Sequence, residues 1–266
     1  MSVFINLLNF GITNNDVFMG IFNKKIDVKE LFPEGFVDIH SHLLPGIDDG
    51  AKSIENSVEL IEKMFKRGIQ NFRTTPHVLG SVWENSSLTI KEKEKELKTA
   101  LIEKGHHDIQ IHAAAEYMLD EHFSKLLEQD DILVLKEKYI LVEMSYFNPP
   151  FNLDDILFQI QIKGYTPILA HPERYSFYHN TDQYAKLIEA GCLFQLNLLS
   201  LIAEQYGKQV TKTAYDLLKK GMYTFVGTDV HHKNHVRLIN AIANKKNKKM
   251  LMPLFENNMK TFSFDS

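Results

Sequence analysis

The sequence predicts an α/β fold, a distorted TIM-like (β/α)7 barrel in a single domain. Three observations point there: seven strand-like segments alternate with helical ones, the chain has 266 residues, and six of the seven strands end in histidine or carboxylate. A closed parallel barrel takes about 250 residues and gathers its chemistry at the C-terminal ends of its strands. Repeated β-α alternation buries a parallel sheet under outer helices. With 44% hydrophobic and 24% charged residues, the composition is globular and excludes a disordered or collagenous chain.

Residues 1–35 have no clear period and end at the breaker cluster Phe32-Pro33-Glu34-Gly35, so they read as an N-terminal extension, with the barrel over 36–266. The first strand spans 36–40. Ser53 then offers an N-cap, Ile54, Val58, Ile61 and Phe65 follow at helical spacing, and Gly68 stops the segment. A strand over 69–74 leads into an amphipathic helix over 88–104 before Gly105, and a strand over 109–113 follows. Further strands are predicted at 139–143, 167–170, 193–197 and 223–227. Helices fill 154–163, 183–190 and 211–220, the last two closed by Gly191 and Gly221.

A formal net charge of -4 gives no electrostatic footprint for nucleic acid, and Lys91-Glu92-Lys93-Glu94-Lys95-Glu96 alternates in sign as a solvated helix face does. Met1 to Phe22 holds no basic residue and is interrupted by Asn6, Asn9, Asn14 and Asn15, which makes a poor signal peptide. No run reaches the roughly 18 to 20 apolar residues of a membrane span, so no membrane insertion is expected. The single cysteine, Cys192, rules out an internal disulfide framework and suits a cytoplasmic location.

The strand ends carry the chemistry. The first delivers His40 and His42, two apart and therefore on one side of an extended segment, with Asp49 a few residues on. Later strands lead to His77, Glu116, Glu143, His171, and finally Asp229 with His231. A lone histidine pair is an ordinary surface or core feature, but nine imidazole and carboxylate donors at one end of a barrel suit two or three divalent ions. Zn, Mn and Fe fit a donor set rich in nitrogen and free of sulfur. His106, His107, His112 and His122 read as structural, while His179, His232 and His235 stay unassigned.

The motifs DIHSHLLPGIDDG, TTPH, AAAEY, LVEMS, ILAHPERY and VGTDVHH, in that order over residues 36–250, resemble the polymerase-and-histidinol-phosphatase (PHP) superfamily. Within it they are most similar to the bacterial manganese-dependent protein tyrosine phosphatases of capsule and exopolysaccharide loci. The resemblance implies a trinuclear manganese site, with Fe or Zn as the alternative metals, on His40, His42, Asp49, His77, Glu116, Glu143, His171, Asp229 and His231, and with Glu116 bridging. It implies that Arg174 binds phosphate. Arg237 is the nearest candidate for the family's second phosphate-binding arginine, one residue further along than is usual. The implied substrate is a phosphotyrosine protein, the tail of a tyrosine autokinase.

Such a site suits phosphate esters, because hydrolysis demands charge neutralisation and a nucleophile at neutral pH, which water held between two cations supplies. Trp83, Tyr117, Phe147, Phe151 and Tyr175 fall near strand ends, where they either line a pocket for a phenyl ring or pack. The competing readings are a small-molecule phosphatase of the histidinol-phosphate type and a non-catalytic binding protein stabilised by metal. A cysteine-dependent phosphatase is excluded, since Cys192 is followed by Leu193-Phe194-Gln195-Leu196-Asn197-Leu198 and no arginine-ended phosphate loop.

Overall fold

A computed structural model describes residues 24–264 apart from Asn180, so most of the predicted extension lies outside the described residues. The strands are β1 (Val37–Asp38), β2 (Asn71–Thr74), β3 (His77–Val78), β4 (Gln110–Ala113), β5 (Glu116–Met118), β6 (Tyr139–Glu143), β7 (Thr166–Ala170), β8 (Leu193–Asn197) and β9 (Phe225–Gly227). Every pairing between them is parallel. β2 falls within the predicted strand over 69–74, and β3 is a short continuation beyond it, after a break at Thr75-Pro76, where proline has no N–H to donate. Ala114-Ala115 likewise separates β4 from β5, which lies beyond the predicted strand over 109–113.

The breaks divide the ladder into sheets ordered β1-β2-β4 and β3-β5-β6-β7-β8-β9. Main-chain bonds nevertheless cross them, from Ala114 N–H to Thr74 O at 2.9 Å and from Glu116 N–H to Pro76 O at 3.0 Å. The two ends of the ladder also meet: Ser41 bridges Val230 in parallel, and Asp229 N–H donates to His40 O at 2.7 Å. The seven strand positions therefore curl into the distorted barrel that the alternation predicts.

Outside the sheet lie α1 (Ile54–Phe65), α2 (Ser87–Glu103), α3 (Glu121–Glu128), α4 (Leu153–Ile162), α5 (Gln183–Glu189), α6 (Ala203–Tyr206), α7 (Lys208–Lys219), α8 (Lys233–Ile242) and α9 (Lys245–Phe262). Ser53 caps α1 as its sequence position suggests, its Oγ accepting from Asn56 N–H at 3.3 Å. The last helix carries Pro253, yet it buries Leu251, Leu254, Phe255, Asn258 and Phe262, an i, i+3, i+4, i+7, i+11 stripe. Leu31 and Phe32 are buried beside it, Phe32 stacking on Phe36 at 5.1 Å.

Side-chain alternation along the strands separates two apolar clusters. Ile140 and Val142 join the core beneath the helices, whereas Leu141 joins Val37, Ala114, Ile168 and Phe225 in a second cluster inside the barrel. The same period of two carries forward to the mouth. Glu143 follows Leu141 by two residues, and Glu116 follows Ala114 by two, so both carboxylates stand above the inner cluster. The opposite end is closed by buried Arg73, which donates to the carbonyls of Leu135, Phe262 and Ser263.

Space at the mouth is tight. A Cβ on Gly227 would lie 2.4 Å from His40 Cβ and 2.9 Å from Gln195 Nε2. Gly227→Ala is expected to destabilise the fold by about 1–3 kcal/mol, because both neighbours are buried and neither can move away cheaply. Chemical denaturation would measure this, and an unchanged midpoint would contradict the packing described.

Candidate metal centre

All nine predicted donors converge. Four groups have their donor atoms within 4.8 Å of one another: His42, Asp49, His77 and His231; His40, His42 and Asp229; His40, Glu116 and His171; and His77, Glu116 and Glu143. His40, His42 and Glu116 are fully buried, while the Asp49 side chain, 49% exposed, stands at the entrance. His171 and Asp229, which follow β7 and β9, adopt left-handed backbone with φ of 35° and 52°. For non-glycine residues that conformation costs on the order of 1–3 kcal/mol each, a strain characteristic of sites that need a donor re-aimed.

The donor atoms fit cations better than they fit one another. Glu116 Oε2 lies 3.2 Å from His40 Nε2, 3.4 Å from His42 Nε2 and 3.1 Å from His77 Nδ1, yet it is a buried oxygen with no hydrogen-bond partner. His40 Nε2 and His42 Nε2 face each other at 3.3 Å. Donors bound at about 2.0–2.2 Å to one ion stand about 3.0–3.5 Å apart, a spacing these separations match.

Electrostatics agree. Burial raises the pKa values of Glu116 and Asp229, but the surrounding imidazoles, His40 foremost, hold both carboxyls well below the usual range. Burial and nearby His42 lower the pKa of His77, and Glu116 with Glu143 outweigh them and lift it to about 10. The carboxylates thus impose a field that favours positive charge at this mouth.

The sixth predicted strand, β8, which the sequence left without a donor, supplies supports instead. Gln195 Oε1 accepts from His40 Nδ1 at 2.9 Å, and Asn197 Nδ2 donates to Asp229 Oδ2. Asp48, also unread, accepts from His42 Nδ1 at 2.8 Å, from His77 N–H at 3.1 Å and from Gly50 N–H at 2.8 Å. With Nδ1 engaged, the Nε2 lone pairs of both rings turn towards the cluster. The adjacent acids of the Asp-Asp-Gly turn were the available signal. Asp48→Asn is therefore expected to weaken metal affinity about 10- to 100-fold, read by chelator competition, and unchanged affinity would count against this support.

Arg174 lies beside the donors. Its Nη1 is 3.1 Å from Asp229 Oδ2, and its guanidinium is held between the rings of Tyr146 and Tyr206, with Cζ 4.5 and 4.2 Å from their centroids. It does not pair with Glu173. That side chain is fully buried, accepting from Asn197 N–H at 3.0 Å and Tyr223 Oη–H at 2.9 Å.

Arg237 is a different case. It is exposed on α8, bound to Asn234 Oδ1 at 2.7 Å, and it does not line the cavity, so its proposed phosphate contact is corrected. One extra residue turns a side chain about 100° around a helix, which accounts for its outward direction. His235, buried at the same helix start, lines the cavity instead.

The cavity measures about 700 Å³. Of the aromatic candidates, Trp83 and Phe147 line it, and Trp83 stacks on His77 at 5.0 Å. Tyr117 and Tyr175 are core residues whose hydroxyls bond Leu133 N–H and Met144 N–H, and Phe151 stands outside on the surface. Tyr146 and Tyr206 line it without having been anticipated.

The parallel barrel and its mouth of converging imidazoles and carboxylates define the class: β/α barrels with a candidate metal-binding cluster at the strand ends. Within that class, the chain belongs to the capsular polysaccharide synthesis family CpsB/CapC, which matches residues 36–262. It is 31% identical over 200 residues to the tyrosine-protein phosphatase YwqE of Bacillus subtilis (strain 168), covering 74% of this chain and 77% of that one. It is 29% identical over 203 residues to the tyrosine-protein phosphatase CpsB of Streptococcus pneumoniae, covering 74% and 83%.

The solved structures of those two relatives, described as metal-dependent tyrosine phosphatases, include a chain that superposes with a TM-score of 0.70 at 28% identity, covering 83% of this chain and 86% of that one. The phosphotriesterase homology protein of Escherichia coli shares the fold at a TM-score of 0.53 and 12% identity, covering 87% and 99%. Among the described residues, no helix is long and apolar enough to cross a membrane.

Proposed function

We propose that this protein is a metal-dependent protein tyrosine phosphatase, acting in the cytoplasm on the phosphorylated tail of a tyrosine autokinase in capsule or exopolysaccharide regulation. The observation that carries the reading is the buried Glu116 oxygen, unpartnered among three imidazole nitrogens and set in the same cavity mouth as a ring-clamped arginine. Two or three manganese ions would be held by His40, His42, Asp49, His77, Glu116, Glu143, His171, Asp229 and His231. When bound, they supply charge neutralisation and water activation at neutral pH.

The chain's own residues do the rest. The guanidinium of Arg174 presents parallel N–H donors to two non-bridging phosphate oxygens, a geometry that lysine lacks. Tyr146 and Tyr206 fix its plane, so little rotational freedom is lost when phosphate binds. Asp229 keeps the guanidinium turned towards the donors. Water's oxygen bonds to phosphorus as the bond to the phenolic oxygen breaks; the water gives a proton to solvent and the phenolate takes one up from solvent, and with a phenol pKa of about 10 that departure needs less acid assistance than an alkyl alcohol's.

Rates on a phosphotyrosine peptide and on histidinol phosphate separate the readings. A higher kcat/KM on the peptide is expected, and preference for histidinol phosphate would move the protein to the small-molecule class. Cys192 takes no part: burial pushes its thiol up to about 12, and it belongs to none of the four donor groups. Cys192→Ser should therefore leave the rate within about twofold of the original; a lost rate would overturn the metal-based assignment.

A further inference from the structure

We propose that the loop between β6 and α4, together with the outer face of α4, forms a docking track for the polypeptide flanking the phosphorylated tyrosine, gripping its apolar side chains. The proposal rests on the phosphatase reading above. Two phenylalanines raise the question, because large apolar side chains normally leave water. Phe147 is 91% exposed and Phe151 fully exposed, on a loop that reads Tyr146-Phe147-Asn148-Pro149-Pro150-Phe151.

The loop joins the site to the surface. Tyr146 turns inward and stacks on Arg174, while Phe147, the next residue, lines the cavity at its rim. A tyrosyl phosphate that reaches Arg174 must bring its backbone across that rim.

The loop is also stiff. Pro149 and Pro150 fix two φ angles, Phe147 N–H donates to Ser145 Oγ at 3.2 Å, and Leu153 N–H donates to Pro150 O at 3.3 Å. Apolar groups held outward on a stiff loop lose little entropy on binding. Beyond it, Phe158 and Ile162 are 59% and 66% exposed on α4, four residues apart and so on one face, while Phe151 sits at the end of the loop, one residue before the N-cap Asn152 of that helix. Clustered exposure of this kind marks an interaction surface where single exposed residues do not.

Charge selects the occupant. The loop and α4, residues 144–162, contain no lysine or arginine, the adjoining Lys163 is paired with Asp130 at 2.7 Å, and Asp154 and Asp155 are exposed in the first turn of α4. Aromatic segments that settle on anionic lipid are accompanied by free cationic residues, and the exposed charges within this one are the carboxylates of Asp154 and Asp155. A polypeptide is the occupant that fits.

The test uses the full chain with Phe151→Ser and Phe158→Ser combined, both residues lying outside the cavity lining. On a phosphotyrosine polypeptide of a dozen or so residues, kcat/KM should fall about tenfold, mainly through KM. Turnover of p-nitrophenyl phosphate, which has no flanking chain, should stay the same. Equal effects on both substrates, or none on either, would overturn the proposal. So would a change of oligomeric state in light scattering, which assigns the track to a second copy, or loss in the variant of wild-type binding to phosphatidylglycerol vesicles, which assigns it to lipid. If the unaltered protein hydrolyses neither substrate, the phosphatase reading itself fails and takes the docking proposal with it.

Discussion

Glu116→Gln is expected to lower kcat/KM on a phosphotyrosine peptide by on the order of a thousandfold, together with a measurable loss of bound metal. The substitution preserves shape, so the barrel should remain folded and the effect should report chemistry. Glu116 belongs to two of the four donor groups, and its Oε2 faces three imidazole nitrogens. An amide in its place removes the negative charge and turns either a neutral oxygen or an N–H towards those nitrogens. Neither can bridge cations as a carboxylate does. Metal analysis and steady-state kinetics on the same preparation provide the check. Full metal content with full activity would show that Glu116 is only a buried hydrogen-bonding group.

Arg174→Lys should be nearly as damaging, lowering kcat/KM by about 100- to 1000-fold while leaving metal content unchanged. The charge is retained, so a point-charge role would predict a mild effect. The sandwich between Tyr146 and Tyr206 argues otherwise, because two stacked rings hold a planar guanidinium in one orientation and offer an ammonium no comparable seat. A near-normal rate in Arg174→Lys would mean that planarity is irrelevant to phosphate binding here. The separate metal reading distinguishes this variant from Glu116→Gln.

The strands and the donors were legible in the sequence because both follow short periods. Apolar alternation located β6, β7 and β8 to within a residue, and a histidine or carboxylate just beyond a strand needs little tertiary information to be placed at the mouth. The supports were less visible. Gln195, Asn197 and Asp48 matter through what they touch, and nothing in their sequence neighbourhood names the partners His40, Asp229 and His42.

Tyr206 is similar. It comes from α6, a single turn after β8, and meets Arg174 only once the barrel has curled. The last helix was hidden for a local reason: Lys245, Lys246, Lys248, Lys249 and Pro253 mask an apolar stripe that becomes evident only when Leu251, Phe255 and Phe262 are seen to be buried. Arg237 failed through phase. The motif spacing placed it near the site, and its position on α8 turned it to solvent.

Metal content, determined alongside phosphotyrosine-peptide hydrolysis before and after chelation, bears on the whole account. Two or three bound ions per chain are expected, with hydrolysis abolished when they are removed and restored when manganese is returned. Undiminished hydrolysis by a chain shown to carry no metal would contradict it.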